Sequence, residues 1–511
     1  MKKQIAILLA LALLIPQIAG CANSKTEEAG EEQKTPSTDA ALPVEEETEE
    51  PDPFAGVDFD GRTFSIYTSI NEATVGVESS NYLIEGYEDL TGDVAPDAAI
   101  QRNNDVMNRL NIELAYEDVN YSYDQVATNI RTLLQSGDAS YHLIINDIYG
   151  LAPITPEGLF HNVYDGEHFD FSKPWWYDDF MEDISINTNM RFMLAGDYFI
   201  DLIRCTHCLI MNKNLYADLW GDPDDVYASV LEMTWTFDRY RELIEGAYID
   251  LNGNGAIDKD DQFGHIAFQY WGPMIPWLIS GDPGFIARDE NGYPTIAVNN
   301  ERSYLLTEKL SAILNNDATG IKVFSENEQA TIDTFTSGRA LFIGYQRLGS
   351  LESDNLRSAE TDIAILPYPR LDDLQKDYVT STHDTAELGF IPVAIPREDL
   401  SFVSAVIEVL CRETYKQLLP AYYESSLKVK YTRDNTAAQM IDIIHDHYGN
   451  GFALAWSNAL SGILLQNTFS SCIENNNTDF ASKCKSMEKP ANKQLEKIIQ
   501  KTMALEEERN G

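Results

Sequence analysis

Basic side chains are scarce in this sequence: 37 lysines and arginines stand against 82 aspartates and glutamates, for a formal net charge of −45. Such a surface repels phosphate backbones and anionic headgroups, which argues against nucleic acid or an anionic membrane face as ligand. Cysteine is scarce too, six in 511 residues, too few for a disulfide framework to stand in for a core. The one long apolar run, Ile5–Ile15, stops well short of the roughly twenty residues that a bilayer-spanning helix needs. No Gly-x-Ser-x-Gly elbow, His-Glu-x-x-His pair, P-loop or dinucleotide fingerprint occurs, so the chemistries those motifs carry have no recognisable bearer. The sequence shows no internal repeat of solenoid period either.

The first features present are at the start of the chain. Lys2 and Lys3 precede the apolar run, as in an export signal. The run ends in Ile18-Ala19-Gly20-Cys21, which resembles the lipobox of bacterial lipoproteins. That resemblance implies a signal peptide over 1–20, lipidation of Cys21, and a chain held at the outer face of the cytoplasmic membrane, extracellular and lipid-anchored. Residues 22–52 then hold eleven acidic residues against two lysines, with Pro36, Pro43, Pro51 and Pro53 toward their end. A segment of that composition cannot bury enough apolar area to offset its ordering entropy, so 21–55 is expected to be a disordered acidic tether.

Beyond it the chain alternates strand and helix patterns. TFSIYT at 63–68, IELAY at 112–116 and YHLIIN at 141–146 read as strands, with helices over 98–110 and 123–134 between them, the second closed by Gly137. Strand, helix, strand, helix, strand predicts a parallel sheet covered by helices. Further on, strands are predicted at 208–212, 340–344, 362–366 and 388–395. Helices are predicted at 215–220, 236–247 (capped by Thr234 or Thr236), 303–314, 328–337, 401–414, 437–444, 453–466 and 490–507. Some 450 residues exceed one core and fit two lobes.

The lipobox, NIELAYEDV, CLIMNKNLYADLW followed by TWTFDRYREL, FTSGRALFIGYQRLG, DIAILPYPRLDD and GFIPVAI occur in that order. As an ordered set they resemble the extracellular solute-binding lipoproteins of ABC importers, most closely the branch that captures sugars and oligosaccharides. The resemblance spans about residues 56–470. It implies an α/β, two-lobed periplasmic-binding-protein-like fold, each lobe a mixed, mainly parallel sheet under helices, with a ligand cleft between lobes. Lobe 1 is then expected from 56–203 plus 386–430 and lobe 2 from 204–385 plus 431–511. It also implies a monomer that binds its solute without chemistry and hands it to the membrane subunits of an ABC permease. The alternatives are a secreted glycoside hydrolase and a surface adhesin.

A sugar offers apolar C–H faces ringed by hydroxyls, so its site needs flat rings together with carboxylates and amides. Candidates in loops after strands are Asp147 and Tyr149, the Trp175-Trp176 pair, Tyr270 and Trp271, and Tyr345 and Arg347. In the resembled family the loop after the SGRALF strand points an aromatic into the cleft, which implies that role for Tyr345. Arg347 reads either as a contact to an acidic sugar or as the partner of a neighbouring carboxylate.

One stretch stands outside this pattern. DLNGNGAIDKDDQFG at 250–264 fits the ligand spacing of an EF-hand loop, with Asp250, Asn252, Asn254, the Ala256 carbonyl, Asp258 and Asp261 at positions 1, 3, 5, 7, 9 and 12 and Gly255 at position 6. A structural Ca2+ is the expectation and a polar turn the alternative. Cys205-Thr206-His207-Cys208 has redox-motif spacing but reads as buried thiols on a crossing strand. A Cys472–Cys484 bridge stays open. His445 and His447, two apart, point away from each other on a helix and do not share an ion.

Overall fold

The computed structural model describes residues 52–69, 81–119, 124–268, 272–324, 327–352, 356, 361–423, 435–477 and 479–510. The export signal, Cys21 and most of the expected tether therefore lie outside the described residues, as do Tyr270 and Trp271. Ten strands run through the described residues. The first five are Arg62–Ser69 (β1), Ile112–Val119 (β2), Leu143–Asp147 (β3), His207–Asn212 (β4) and Phe263–Ile266 (β5). Ile286–Arg288 (β6), Pro294–Ile296 (β7), Ala340–Arg347 (β8), Ile363–Leu366 (β9) and Glu387–Phe390 (β10) follow.

They form two separate four-stranded sheets and one small hairpin, β6–β7, within the unit Phe54–Gly511. The first sheet has the order β10-β3-β1-β2; β1 runs parallel to β2 and β3, and β10 lies antiparallel beside β3. The second has the order β5-β8-β4-β9, with β5 parallel to β8 and β4 antiparallel to both β8 and β9. The architecture is mixed α/β, as the sequence predicts. The second sheet departs from the mainly parallel expectation because β4 comes in from the other half of the molecule and runs against its neighbours.

Burial explains which strands are legible. All residues of β3, β4 and β8 are buried, which fits the apolar runs LII, CLIM and ALFI within them, while polar residues stand at their ends. The edge strand β2 is only partly covered, with Ile112 its one buried residue. Helix Val94–Leu110 packs on β2 and ends at Asn111, whose left-handed φ of +50° asparagine tolerates better than most residues. Helix Phe237–Ala247 lies on β5 and β8, its first turn capped by the Thr236 hydroxyl accepting from the Arg239 N–H at 3.3 Å. The final helix, Phe480–Asn510, passes through Pro490 and starts ten residues before the predicted point. Phe480 packs its ring 4.6 Å from that of Phe469, and this burial holds the added turns.

β5 is absent from the sequence-based reading. Its FGHI is short and carries a glycine, which weakens strand propensity. The glycine is required: a Cβ on Gly264 would sit 2.1 Å from the Ile244 carbonyl oxygen of the covering helix. Gly264→Ala is therefore expected to destabilise the protein by about 3 kcal/mol, read by urea unfolding; a loss under about 0.5 kcal/mol would contradict this packing.

Candidate functional site

The two sheets are joined where two segments cross side by side. The first descends from the short helix Asp201–Arg204 through Cys205 and Thr206 into β4; the second runs from Thr380 to Ala386 into β10. Thr206 and Thr382 form an antiparallel bridge, the His207 N–H donates to the Ser381 carbonyl at 2.9 Å, and the His383 N–H donates to the Cys205 carbonyl at 2.9 Å. Thr380 pairs in turn with Tyr448.

Against this crossing the C-terminal end of β8 delivers Tyr345, Gln346 and Arg347. Tyr345 has a left-handed φ of +59°, a conformation that costs a non-glycine residue on the order of 1 kcal/mol and concentrates at functional positions. Its N–H donates to the Tyr368 hydroxyl at 2.8 Å, which holds the turn. Its ring stacks on His207 (centroids 5.3 Å apart, planes 26° apart) and meets Phe268 edge-on at 5.5 Å. Its hydroxyl hydrogen-bonds His383 Nε2 at 2.7 Å. His383 Nδ1 in turn meets the Thr385 hydroxyl at 2.8 Å, the Thr385 N–H at 3.1 Å and Asp384 Oδ1 at 3.1 Å. His207 Nδ1 pairs with the Ser381 hydroxyl at 2.9 Å, while its Nε2, on a side chain 1% exposed, has no hydrogen-bond partner.

Charge at this place comes from Arg347, buried, with its guanidinium 5.6 Å from the Tyr345 ring centroid. Burial first, and the Arg347 charge second, push His207 down to about 3 and His383 well below the usual histidine value. Burial pushes Asp384 up to about 6 and partly buried Glu328 up to about 7, each against the pull of Arg347. At neutral pH the cluster thus combines one cation and two neutral imidazoles with two carboxyls whose ionisation burial opposes.

The predicted residues divide. Asp147 and Tyr149 arrive at the same crossing: Asp147 caps the short helix Ile148–Leu151 by accepting the Gly150 N–H, and the Tyr149 N–H donates to the Asp384 carbonyl at 3.0 Å. With Tyr345 and Arg347 they form one neighbourhood. Trp175 and Trp176 do not join it. Their indole N–H groups donate to the two oxygens of Glu408 at 2.8 and 2.9 Å, and Trp176 packs edge-on against Phe169 and Phe171 in the core of the first half. A buried indole must find an acceptor, and a carboxylate on the distant helix Leu400–Glu413 supplies it. The Asp250–Asp261 loop lies at the opposite end of β8, where the Lys259 carbonyl accepts from Arg339 at 2.6 Å. Cys205 and Cys208 are buried thiols pushed up by burial, Cys208 to about 12. Cys472 and Cys484 are buried and unbridged. His445 bonds the Tyr177 hydroxyl at 2.9 Å while His447 bonds the Ile443 carbonyl at 2.8 Å, so the two rings meet different partners.

Sequence reasoning missed His207, His383 and Phe268, and it missed a clasp between the halves. Arg204, fully buried, grips both oxygens of Glu352 at 3.1 and 2.8 Å and Asp201 at 3.1 Å. Tyr422 and Tyr82 donate their hydroxyls to the same Glu352 carboxylate at 2.6 and 3.2 Å. Glu352 follows β8 of the second sheet, whereas Tyr82 and Tyr422 belong to helices packed on Val94–Leu110 beside the first.

The histidine environment makes a signed prediction. Unfolding releases both rings to protonate, so they withdraw stability as pH falls below about 6.5 toward their depressed folded values. Between pH 7 and 5 the unfolding free energy of the wild type is expected to rise with pH more steeply than that of His207→Gln, by up to about 1.4 kcal/mol per unit. Equal slopes would contradict a buried neutral ring at 207.

No protein-family model matches this chain, and no curated protein is similar to it. Solved structures are. Over 85% of this chain and all of theirs, a solute-binding protein of an ABC transporter from Thermotoga lettingae, bound with α-D-tagatose, superposes with a TM-score of 0.51 at 13% identity. The GacH receptor of Streptomyces glaucescens, determined unliganded and with acarbose, gives 0.51 at 11% identity, covering 85% of this chain and 99% of its own. The substrate-binding protein Lmo0181 of Listeria monocytogenes, in complex with cycloalternan, gives 0.50 at 11% identity with the same coverage. The fold of this chain is therefore that of the sugar-binding solute receptors of ABC transporters.

Proposed function

We propose that this chain captures a carbohydrate at the crossing between its two halves, without transforming it, and delivers it to the membrane subunits of an ABC importer. The observation that carries this reading is Tyr345: a ring held in left-handed backbone at the end of β8, stacked on a neutral histidine, beside a buried arginine and an imidazole nitrogen with no partner. A sugar supplies what such a place lacks, apolar faces for rings and hydroxyls that both donate and accept. The similar structures were solved with tagatose, acarbose and cycloalternan, which supports the same ligand class here.

Tyr345 is only 7% exposed, so a sugar reaches it when the halves separate, and the clasp on Glu352 is the contact that yields first. Lipidation of Cys21 and an acidic tether would keep the receptor extracellular and beside its permease as a monomer. This part rests on the sequence alone, since among the described residues no helix is long and apolar enough to cross a membrane.

The test is a melting-temperature screen against mono- and oligosaccharides, followed by calorimetry of any hit. A sugar that binds wild type at micromolar Kd, loses at least 100-fold affinity in Tyr345→Ala and is recovered chemically intact supports the reading. Binding unaffected by Tyr345→Ala, or release of reducing sugar, overturns it. For the anchor, Cys21→Ala is expected to move the protein from the membrane fraction to the medium.

A further inference from the structure

The loop between helix Phe237–Ala247 and β5 holds a second site, independent of the carbohydrate reading. Ile249 and Gln262 close it as an antiparallel bridge, each donating its N–H to the other's carbonyl at 3.1 and 3.0 Å. Inside, Asp250 accepts the Gly253 and Gly255 N–H groups at 2.7 and 2.8 Å, and Gly255 takes the φ of +72° that a sharp turn at this point requires. The Asn252 and Asn254 Oδ1 atoms accept the N–H groups of Asn254 and Ala256, and each keeps a second lone pair.

Those bonds shape a loop and do not by themselves make a site. The decisive atom is on Asp261. Its side chain is 0% exposed, and its Oδ2 accepts the Asp258 N–H at 3.0 Å and the Tyr248 hydroxyl at 3.1 Å, which turns the carboxylate toward the loop. Its Oδ1 is buried with no hydrogen-bond partner. A carboxylate oxygen left without a donor costs on the order of 1–3 kcal/mol or more, and a cation relieves that cost. Among the described residues no three acidic, imidazole or thiol groups converge on one point, so the two carboxylates at 250 and 261 would be completed by amide, carbonyl and water oxygens. That all-oxygen, mostly neutral set suits a large, flexibly coordinated ion over the compact octahedral one that magnesium demands.

We propose that Asp250, Asn252, Asn254, the Ala256 carbonyl and Asp261 bind Ca2+, with Asp258 acting at the ninth position through a water, and that the ion ties the Phe237–Ala247 helix to β5 in the second sheet. The chain leaves the loop as a strand, so this is an EF-hand-like loop with a helix on one side only. With aspartate in place of glutamate at the last position, the affinity belongs to the weak extracellular range of about 10⁻⁴–10⁻³ M.

The purified full chain is titrated with CaCl2, MgCl2 and TbCl3. Calcium at about 10 mM is expected to raise Tm by roughly 2–4 °C, and magnesium to leave it unchanged. Terbium bound here would luminesce on tyrosine excitation through Tyr248, and calcium would quench that emission by displacement. Asp250→Asn, at a partly exposed position, is expected to lose both responses; Asp261→Asn is expected to do the same if it folds. Tyr248→Phe should dim terbium but keep the calcium shift. No calcium response in wild type, an equal response to magnesium, or a calcium shift retained in Asp250→Asn overturns the proposal.

Discussion

The pairing of two short crossing segments is the constraint on which the rest of this molecule depends. Residues 205–207 and 381–383 are hydrogen-bonded to each other, and each runs from one sheet into the other. Backbone groups buried at such a junction must be paired, which leaves the crossing little freedom except rotation about its ends. The elements of the candidate carbohydrate site are attached there. β8 ends against it, the helix after β3 donates to its Asp384 carbonyl, and the Arg204 that begins it holds Glu352.

The buried charges around the crossing are paired. Arg204 is surrounded by Glu352, Asp201 and two phenols, so neither ion is left unpaired on burial. Removing one member of such a set costs about 3–5 kcal/mol, although the intact set adds little net stability over an apolar replacement. Burial alone would raise the pKa of Glu352; the Arg204 charge and the hydrogen bonds override it and hold the carboxyl below its usual value. The clasp is thus worth most above the unfolded carboxylate range and weakens as pH falls through the folded value.

How much could be read in advance follows from where the information lies. Strands buried on both faces announce themselves through apolar runs such as LII in β3 and ALFI in β8, and capped helices such as that after Thr236 do so as well. β5 was hidden because its glycine is dictated by a helix carbonyl, a tertiary fact. The site was half legible. Tyr345, Arg347 and Asp147, expected in loops after strands, are in fact among the last residues of β8 and β3, and Tyr149 follows β3; strand ends can be located from periodicity to within a few residues. His207 and His383 were not found, since His207 meets its partner Ser381 across 174 positions of sequence, and no local pattern records such a meeting. The Trp175-Trp176 pair misled for the same reason: Glu408, which claims both indoles, lies over 230 positions away. The Asp250–Asp261 loop could be singled out because its EF-hand-like spacing falls within twelve consecutive residues.

The central claim, that the two halves part and close about this crossing over a sugar, is tested most directly by small-angle X-ray scattering of the full chain with and without a sugar identified by screening. A reproducible fall in the radius of gyration on saturation, absent in Tyr345→Ala, is the predicted result. An identical scattering curve with the sugar bound would contradict it.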